Sequence, residues 1–100
     1  MAKVYLIDAE RGLYAFHCPG CGYAHHFGTK AYTDARGKSH PVWHFNGNVD
    51  RPTFSPSLLV NAQWPEKRCH LFMRDGMIVY CGDCFHALAG QKVECPDWED

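Results

Sequence analysis

The sequence predicts a small, mainly β domain of the α+β class, with one antiparallel sheet, a zinc knuckle and one short C-terminal helix. Three observations support this prediction. Short β-prone runs alternate with turns rich in glycine, asparagine and aspartate along most of the chain. Two Cys-x-x-Cys pairs have the spacing of metal ligands. Only residues 84–89 combine a helix N-cap residue before them, Asp83, with a terminating glycine after them, Gly90.

The composition limits the classes of protein to which the chain can belong. Its length suits one domain, residues 1–100, and 46% of the residues are hydrophobic, as in a packed globular protein. The formal net charge is −1 and the basic residues are scattered, so nucleic acid is not an expected partner. No apolar run approaches the ~20 residues of a membrane span, and the apolar run that Asp8 interrupts is too short to predict a signal peptide. We therefore expect a soluble cytoplasmic protein with reduced thiols.

The N-terminal half is predicted to consist of short strands joined by turns. Residues 4–7 and 13–17 are β-prone and flank a polar, glycine-containing turn, which predicts a hairpin. Residues 23–27 form a third strand that leaves the first Cys-x-x-Cys turn. The polar residues 28–40 are predicted to form a loop. A short aromatic strand follows at 41–45 and ends at an Asn-Gly turn.

The C-terminal half contains the clearest turn signal. Two prolines stiffen residues 51–57, which we expect to be extended and irregular at a sheet edge. Residues 58–60 then form a buried strand. Residues 69–74 and 77–81 are β-prone and are separated by Asp75-Gly76. That dipeptide suits a two-residue type I′ turn, so a hairpin is predicted.

Cys18 and Cys21, in the run Cys-Pro-Gly-Cys-Gly, are the most specific feature of the chain. Two thiolates at this spacing can bind one tetrahedral Zn²⁺, and the glycines let the backbone turn tightly around the metal. The alternative is two reduced cysteines in an ordinary turn. The spacing favours zinc as the cofactor.

The predicted hairpin brings further potential ligands together at its open end. With Asp75-Gly76 as the turn, His70 lies opposite Cys81, about 5 Å away on the same face. Cys69 then lies at the same end of the ladder as the second Cys-x-x-Cys pair. The pattern does not decide which two residues complete the zinc site. The candidates are Cys69, Cys81, Cys84, His70 and His86.

Ser55 and Ser57 are candidate nucleophiles on the proline-stiffened segment. A serine nucleophile needs an adjacent base and, commonly, a group that orients the base. His70 can serve as the base with Asp83 as the orienting group, and His86 is a further acid–base or metal-ligand candidate. The simpler interpretation is that both serines satisfy backbone groups beside the prolines.

The other cysteine and the histidines near the knuckle have simpler interpretations. Cys95, which has no Cys-x-x-Cys partner, is predicted to be a buried apolar residue. His25 and His26 follow the knuckle closely, so one of them can be a ligand, but a surface position is expected for both.

Seven short motifs, in order over about residues 18–98, together resemble a known family. They are Cys18-Pro-Gly-Cys21-Gly, Trp43-x-Phe-Asn46-Gly47, Pro52-Thr-Phe-Ser-Pro-Ser57, Cys69-His70-x-Phe, Asp75-Gly-x-Ile78, Asp83-Cys84-x-His86-x-Leu-Ala-Gly90 and Pro96-x-Trp98. The family consists of small phage and prophage proteins of uncharacterised function that often carry the label ammonia monooxygenase. Its relatives occur in bacterial ubiquitin-like conjugation operons and are regarded as peptidases. No motif in this chain supports ammonia oxidation.

The resemblance implies a catalytic site that contains Ser57, His70 and either Asp83 or His86. It also bears on the metal, because Cys81 falls where the family usually has an apolar residue. The zinc ligands that the resemblance favours are Cys18, Cys21, Cys69 and Cys84.

Two functions from different classes follow. The first is a peptidase that acts on a protein tail, with Ser57 as nucleophile and zinc as a structural clamp; a variant makes the zinc catalytic through an open coordination position. The second is a non-catalytic, zinc-stapled phage module that engages a host protein. A serine within hydrogen-bond reach of His70 in a groove favours the peptidase. A zinc bound only by cysteines, with no pocket near Ser57, favours the module.

Overall fold

The computed structural model describes residues 1–99, which form two antiparallel β-sheets. The first sheet has three strands in the order β1-β2-β3, and the second has five in the order β4-β5-β6-β7-β8. The strands are β1 Tyr5–Asp8, β2 Leu13–Cys18, β3 Tyr23–Gly28, β4 His44–Phe45, β5 Phe54–Val60, β6 Cys69–Arg74, β7 Met77–Tyr80 and β8 Lys92–Glu94. The predicted hairpin of the first two strands and the predicted third strand are confirmed.

The predicted helix at 84–89 is wrong, and with it the α+β class, because residues 1–99 contain no helix. The segment between β7 and β8 forms a series of turns instead. The Phe85 amide donates to the Arg68 carbonyl (2.9 Å) and the Gly90 amide to the Cys81 carbonyl (3.3 Å). Six residues are too few for a stable isolated helix, so these bonds to the neighbouring hairpin decide the conformation.

Membrane-spanning helices are not found within residues 1–99.

The predicted β6–β7 hairpin is confirmed. Its two turn residues, Asp75 and Gly76, have φ angles of 50° and 78°, as a type I′ turn requires. At the open end, the Cys81 amide donates to the His70 carbonyl at 2.9 Å. The register therefore places these two residues side by side, as the turn predicted.

The prediction that residues 51–57 lie at a sheet edge is wrong. Strand β5 starts at Phe54 and lies between β4 and β6. Its pairing with β6 shifts register between Phe54 and Leu58, so Pro56 falls at an irregularity where a ladder hydrogen bond is not required. Strand β8, which the sequence did not predict, pairs with the outer side of β7.

Aromatic side chains join the two sheets. Phe27 of β3 stacks on Phe54 of β5 with ring centroids 4.1 Å apart, and Phe45 of β4 stacks on the same ring at 4.5 Å. Each aromatic pair contributes about 0.5–1.5 kcal/mol beyond its buried area. Cys95 is 0% exposed in this core, which confirms its predicted burial.

Candidate active site and adjoining metal cluster

Ser57 and His70 meet across neighbouring strands. In the β5–β6 ladder His70 pairs with Leu59, so Ser57, two residues earlier, is the diagonal neighbour of His70 on the same face. The Ser57 hydroxyl Oγ lies 3.0 Å from His70 Nε2, within hydrogen-bond distance. Trp43 holds this part of β5 in place, since its indole N–H donates to the Ser57 carbonyl oxygen at 3.2 Å.

Asp83 lies on the other side of the His70 ring. Its Oδ1 atom is 3.4 Å from His70 Nδ1, and it sits in the turn that follows β7. The side chains of His70 and Asp83 are 27% and 43% exposed, and Ser57 is half-buried. The three side chains therefore form a connected series that solvent and substrate can reach.

The other two candidates for catalysis lie elsewhere. Ser55 is exposed and pairs with His44 across the β4–β5 ladder. His86 contacts the sulfur of Cys69, with its Nε2 atom 3.4 Å from Sγ. Of the two serines and two histidines considered from the sequence, the structure brings together Ser57 and His70.

A cluster of potential metal ligands lies directly behind His70. The donor atoms of Cys18, Cys21, Cys69 and His25 all lie within 4.8 Å of one another. A second group, Cys69, Cys84 and His86, shares the Cys69 sulfur with the first. Three of the four sequence-derived ligand candidates thus lie in the first group, and Cys84 adjoins it.

The sulfur atoms of this cluster fit a cation. Cys18 Sγ lies 4.0 Å from Cys69 Sγ, close to the roughly 3.8 Å between two sulfurs on a tetrahedral zinc. The hydrogen bond from Cys69 lowers the pKa of Cys18 far below its usual value, and the same contact raises the pKa of Cys69. Burial raises the pKa of Cys21 to about 11. Without a cation the group can thus hold one thiolate, whereas a divalent ion would neutralise several.

The fourth ligand position has more than one candidate. His25 is 4% exposed, so the expected surface position is wrong, and its Nε2 atom has no hydrogen-bond partner within residues 1–99. Cys84 Sγ accepts the His70 amide hydrogen at 3.3 Å. His86 Nδ1 accepts the Leu88 amide hydrogen at 3.2 Å. A neutral His86 ring therefore carries its proton on Nε2, where it can donate to the sulfur of Cys69.

Tyr80 is a further residue of the cluster that the sequence analysis did not identify. Its hydroxyl lies 3.0 Å from Cys18 Sγ, and burial raises its pKa, so the neutral hydroxyl can donate to a Cys18 thiolate. Strand periodicity could have indicated both missed residues. His25 lies on the buried face of β3 with Phe27, between half-buried Ala24 and exposed His26, and Tyr80 lies on the face of Ile78.

The metal cluster and the catalytic group are interleaved in the sequence. Cys69 and His70 are adjacent, as are Asp83 and Cys84. In each pair the cysteine belongs to a metal-ligand group and its neighbour belongs to the series Ser57–His70–Asp83. Consecutive strand residues point to opposite faces, which separates Cys69 from His70. A metal bound to both cysteines would hold the two segments that carry His70 and Asp83.

A groove of about 360 Å³ lies next to Trp43, and Ser57, His70 and Asp83 are not among its lining residues. Its walls include Arg11, His26, His40 and Trp43, and Trp43 is the residue that bonds the Ser57 carbonyl. The Arg11 Nε atom is buried and has no hydrogen-bond partner within the described residues. The Arg11 guanidinium, which lies 4.2 Å from the centroid of the Tyr32 ring, makes one wall of the groove positive.

Comparison with known proteins identifies the family. Neither the curated proteins nor the solved structures contain a match to this chain. A family model described as bacterial ubiquitination-like system serine protease (BubE) matches residues 1–81. The matched part includes Ser57 and His70, and Asp83 lies just beyond it. The match confirms the predicted relation to the peptidases of ubiquitin-like operons. Because it covers most of the chain, this protein belongs to the BubE family of bacterial ubiquitination-like system serine proteases.

Proposed function

We propose that this chain is a zinc-stabilised serine peptidase that cleaves a peptide bond in a protein tail. Ser57 is the nucleophile, His70 the general base and Asp83 the group that orients His70. The observation that carries the proposal is the series of contacts from Ser57 Oγ to His70 Nε2 (3.0 Å) and from His70 Nδ1 to Asp83 Oδ1 (3.4 Å). Family membership supports the same class of reaction.

Each residue has a defined task in the reaction. Ser57 Oγ attacks the scissile carbonyl carbon while His70 Nε2 accepts the hydroxyl proton. The Asp83 carboxylate keeps the other His70 proton on Nδ1 and stabilises the imidazolium that forms. His70 then donates a proton to the leaving amine, and water hydrolyses the acyl-enzyme with His70 again acting as base. The contact lengths are within the range of a site without bound substrate.

The metal has a structural role in this proposal, and zinc is its identity. Cys18, Cys21 and Cys69 hold it, and the fourth ligand is either Cys84, which the resemblance favours, or His25, which shares one group with these three sulfurs. A zinc ion bound by four protein ligands supplies a cross-link and leaves no open coordination position for substrate. The nucleophile is therefore the serine, and the cysteines hold the segments on which His70 and Asp83 lie.

The groove that adjoins Ser57 through Trp43 supports a protein tail as the substrate class. It is open to solvent and is lined by Arg11, Leu13, His26, Gly28, His40, Pro41 and Trp43. An extended peptide suits such a shape, since strands and tails bind along sheet surfaces. The Arg11 guanidinium lines this groove, and its charge favours a tail that carries an acidic side chain or a terminal carboxylate.

A serine-directed fluorophosphonate probe tests the proposal. Wild type should be labelled, Ser57→Ala should not, and Ser55→Ala is the matched control because Ser55 lies on the same strand but does not bond His70. The zinc content of all three proteins should be equal. Labelling of Ser57→Ala at the wild-type rate would show that the nucleophile is wrong. A folded, zinc-loaded wild type that resists labelling would favour the non-catalytic interaction module.

A further inference from the structure

Cys81 lies at the catalytic group but has no task in the serine mechanism. One nitrogen of His70, the sulfur of Cys81 and a carboxylate oxygen of Asp83 all lie within 4.8 Å of one another. Cys81 is half-buried and its thiol is free of disulfides. A thiol, an imidazole and a carboxylate thus converge on one point, separate from the buried sulfurs of Cys18 and Cys69.

We propose that His70, Cys81 and Asp83 form a second, inhibitory site for a divalent transition-metal ion such as Zn²⁺. This inference rests on the proposed serine mechanism, because it assigns regulation to the same catalytic histidine. The donor set combines soft sulfur with imidazole nitrogen and carboxylate oxygen, which suits zinc and not the oxygen-seeking Mg²⁺ or Ca²⁺.

The position of Cys81 is set by its backbone. Its amide donates to the His70 carbonyl (2.9 Å), and its own carbonyl accepts from the Gly90 amide (3.3 Å) and the Cys84 amide (3.4 Å). Three hydrogen bonds therefore hold Cys81 beside His70 before any metal arrives. Little backbone rearrangement is needed for binding, which reduces the entropic cost of forming the site.

Metal binding at this site is incompatible with the catalytic role of His70. Nδ1 is the His70 nitrogen that faces Asp83, and Nε2 faces Ser57. A metal bound to Nδ1 leaves the single proton of a neutral imidazole on Nε2, so Nε2 cannot accept the proton of Ser57. The Cys81 thiol releases its own proton to solvent when the sulfur binds the metal. The ion also binds the Asp83 carboxylate.

This site should release its metal more readily than the buried cluster. It has three protein donors, and Asp83 is exposed, so water competes for the ion and fills the remaining position. In the buried cluster Cys18 and Cys69 are 1% and 0% exposed. The first zinc then maintains the fold while a second, exchangeable zinc turns the enzyme off.

Two measurements test the inference at buffered free Zn²⁺ concentrations. Equilibrium dialysis counts the zinc ions bound per chain, and fluorophosphonate labelling reports the reactivity of Ser57 relative to each variant's rate at the lowest free zinc. Cys81→Val removes the thiol but keeps an apolar residue suited to a strand. Asp75→Asn is the control for a surface carboxylate, because Asp75 lies at the opposite end of the same hairpin. Ser57→Ala serves only in the zinc count.

Wild type, Asp75→Asn and Ser57→Ala should bind a second zinc ion that Cys81→Val does not bind. The second ion should slow labelling of wild type about a hundredfold or more, the contribution of a general base, and Mg²⁺ should not. Equal zinc counts for wild type and Cys81→Val would show that the second site does not exist. Faster labelling on zinc addition would contradict inhibition, because it would indicate a catalytic metal. If wild type is not labelled at any zinc concentration, the serine mechanism and its inhibition are both wrong. The zinc counts would still show whether the second metal site exists.

Discussion

Two groups of residues that can bind a metal or transfer a proton lie at the open end of the β6–β7 hairpin, and they differ in burial. Cys69, with Cys18, lies in the core, whereas His70 and Asp83 are partly exposed. The two groups alternate in the sequence, so one residue step separates a buried sulfur from a solvent-accessible imidazole. The comparison shows that burial, together with residue type, separates the proposed structural metal site from the proposed catalytic group.

The energetic consequences of the two groups differ accordingly. Buried thiolates without a cation are strongly unfavourable, so the proposed metal would stabilise the fold by neutralising them. An exposed ion pair contributes about 0–1 kcal/mol to stability, so the contact between His70 and Asp83 is not required for folding. Changes in the buried group should therefore unfold the protein, and changes in the exposed group should remove activity from a folded protein.

Metal removal is the change with the largest expected effect. Chelation, or Cys69→Ser, should abolish cooperative folding, because structural zinc contributes on the order of 10 kcal/mol or more, comparable with the whole stability of a small domain. Circular dichroism melting together with elemental analysis measures both quantities. Cys81→Val is the control cysteine and should keep the structural zinc and the fold. A metal-free protein that unfolds cooperatively at the wild-type midpoint would refute the metal's role.

Asp83→Asn tests the exposed group. The labelling rate of Ser57 should fall by about 10³–10⁴-fold, since an amide cannot hold His70 in the required tautomer or stabilise the imidazolium. The melting temperature and zinc content should stay close to those of wild type. Asp75→Asn, which removes an exposed carboxylate 2.7 Å from Arg51, is the matched control. Unchanged labelling of Asp83→Asn would mean that another group orients His70.

Gly76→Val tests whether the Asp75-Gly76 turn sets the β6–β7 register on which the buried group and the exposed group both depend. A β-branched residue strongly resists the φ of 78° at this position, so unfolding free energy should fall by about 1–3 kcal/mol. Chemical denaturation measures the loss. Gly82→Ala is the control, because a Cβ atom there meets no neighbouring atom within 4 Å. Equal stability of Gly76→Val and Gly82→Ala would show that the turn does not set the register.

Local features of the fold were predictable from the sequence. The Asp75-Gly76 turn determines the register of β6 and β7, because positive φ at two consecutive positions allows few other connections. Alternation then places His70 beside Cys81 without knowledge of any other strand. The same local reasoning failed at residues 84–89, where cap residues predicted a helix. There the backbone amides bond to Arg68 and Cys81 instead, and tertiary contacts outweigh a weak helical preference.

The sequence by itself determined the turns, the strand periodicity, the spacing of the cysteines and the identity of the candidate residues. Only the tertiary structure decided that β5 lies inside the second sheet, that His25 is buried, and that Ser57 lies beside His70. The physical reason is the range of the forces involved. Backbone preferences act between neighbouring residues, whereas burial and catalytic contacts depend on pairing between segments that are distant in the chain.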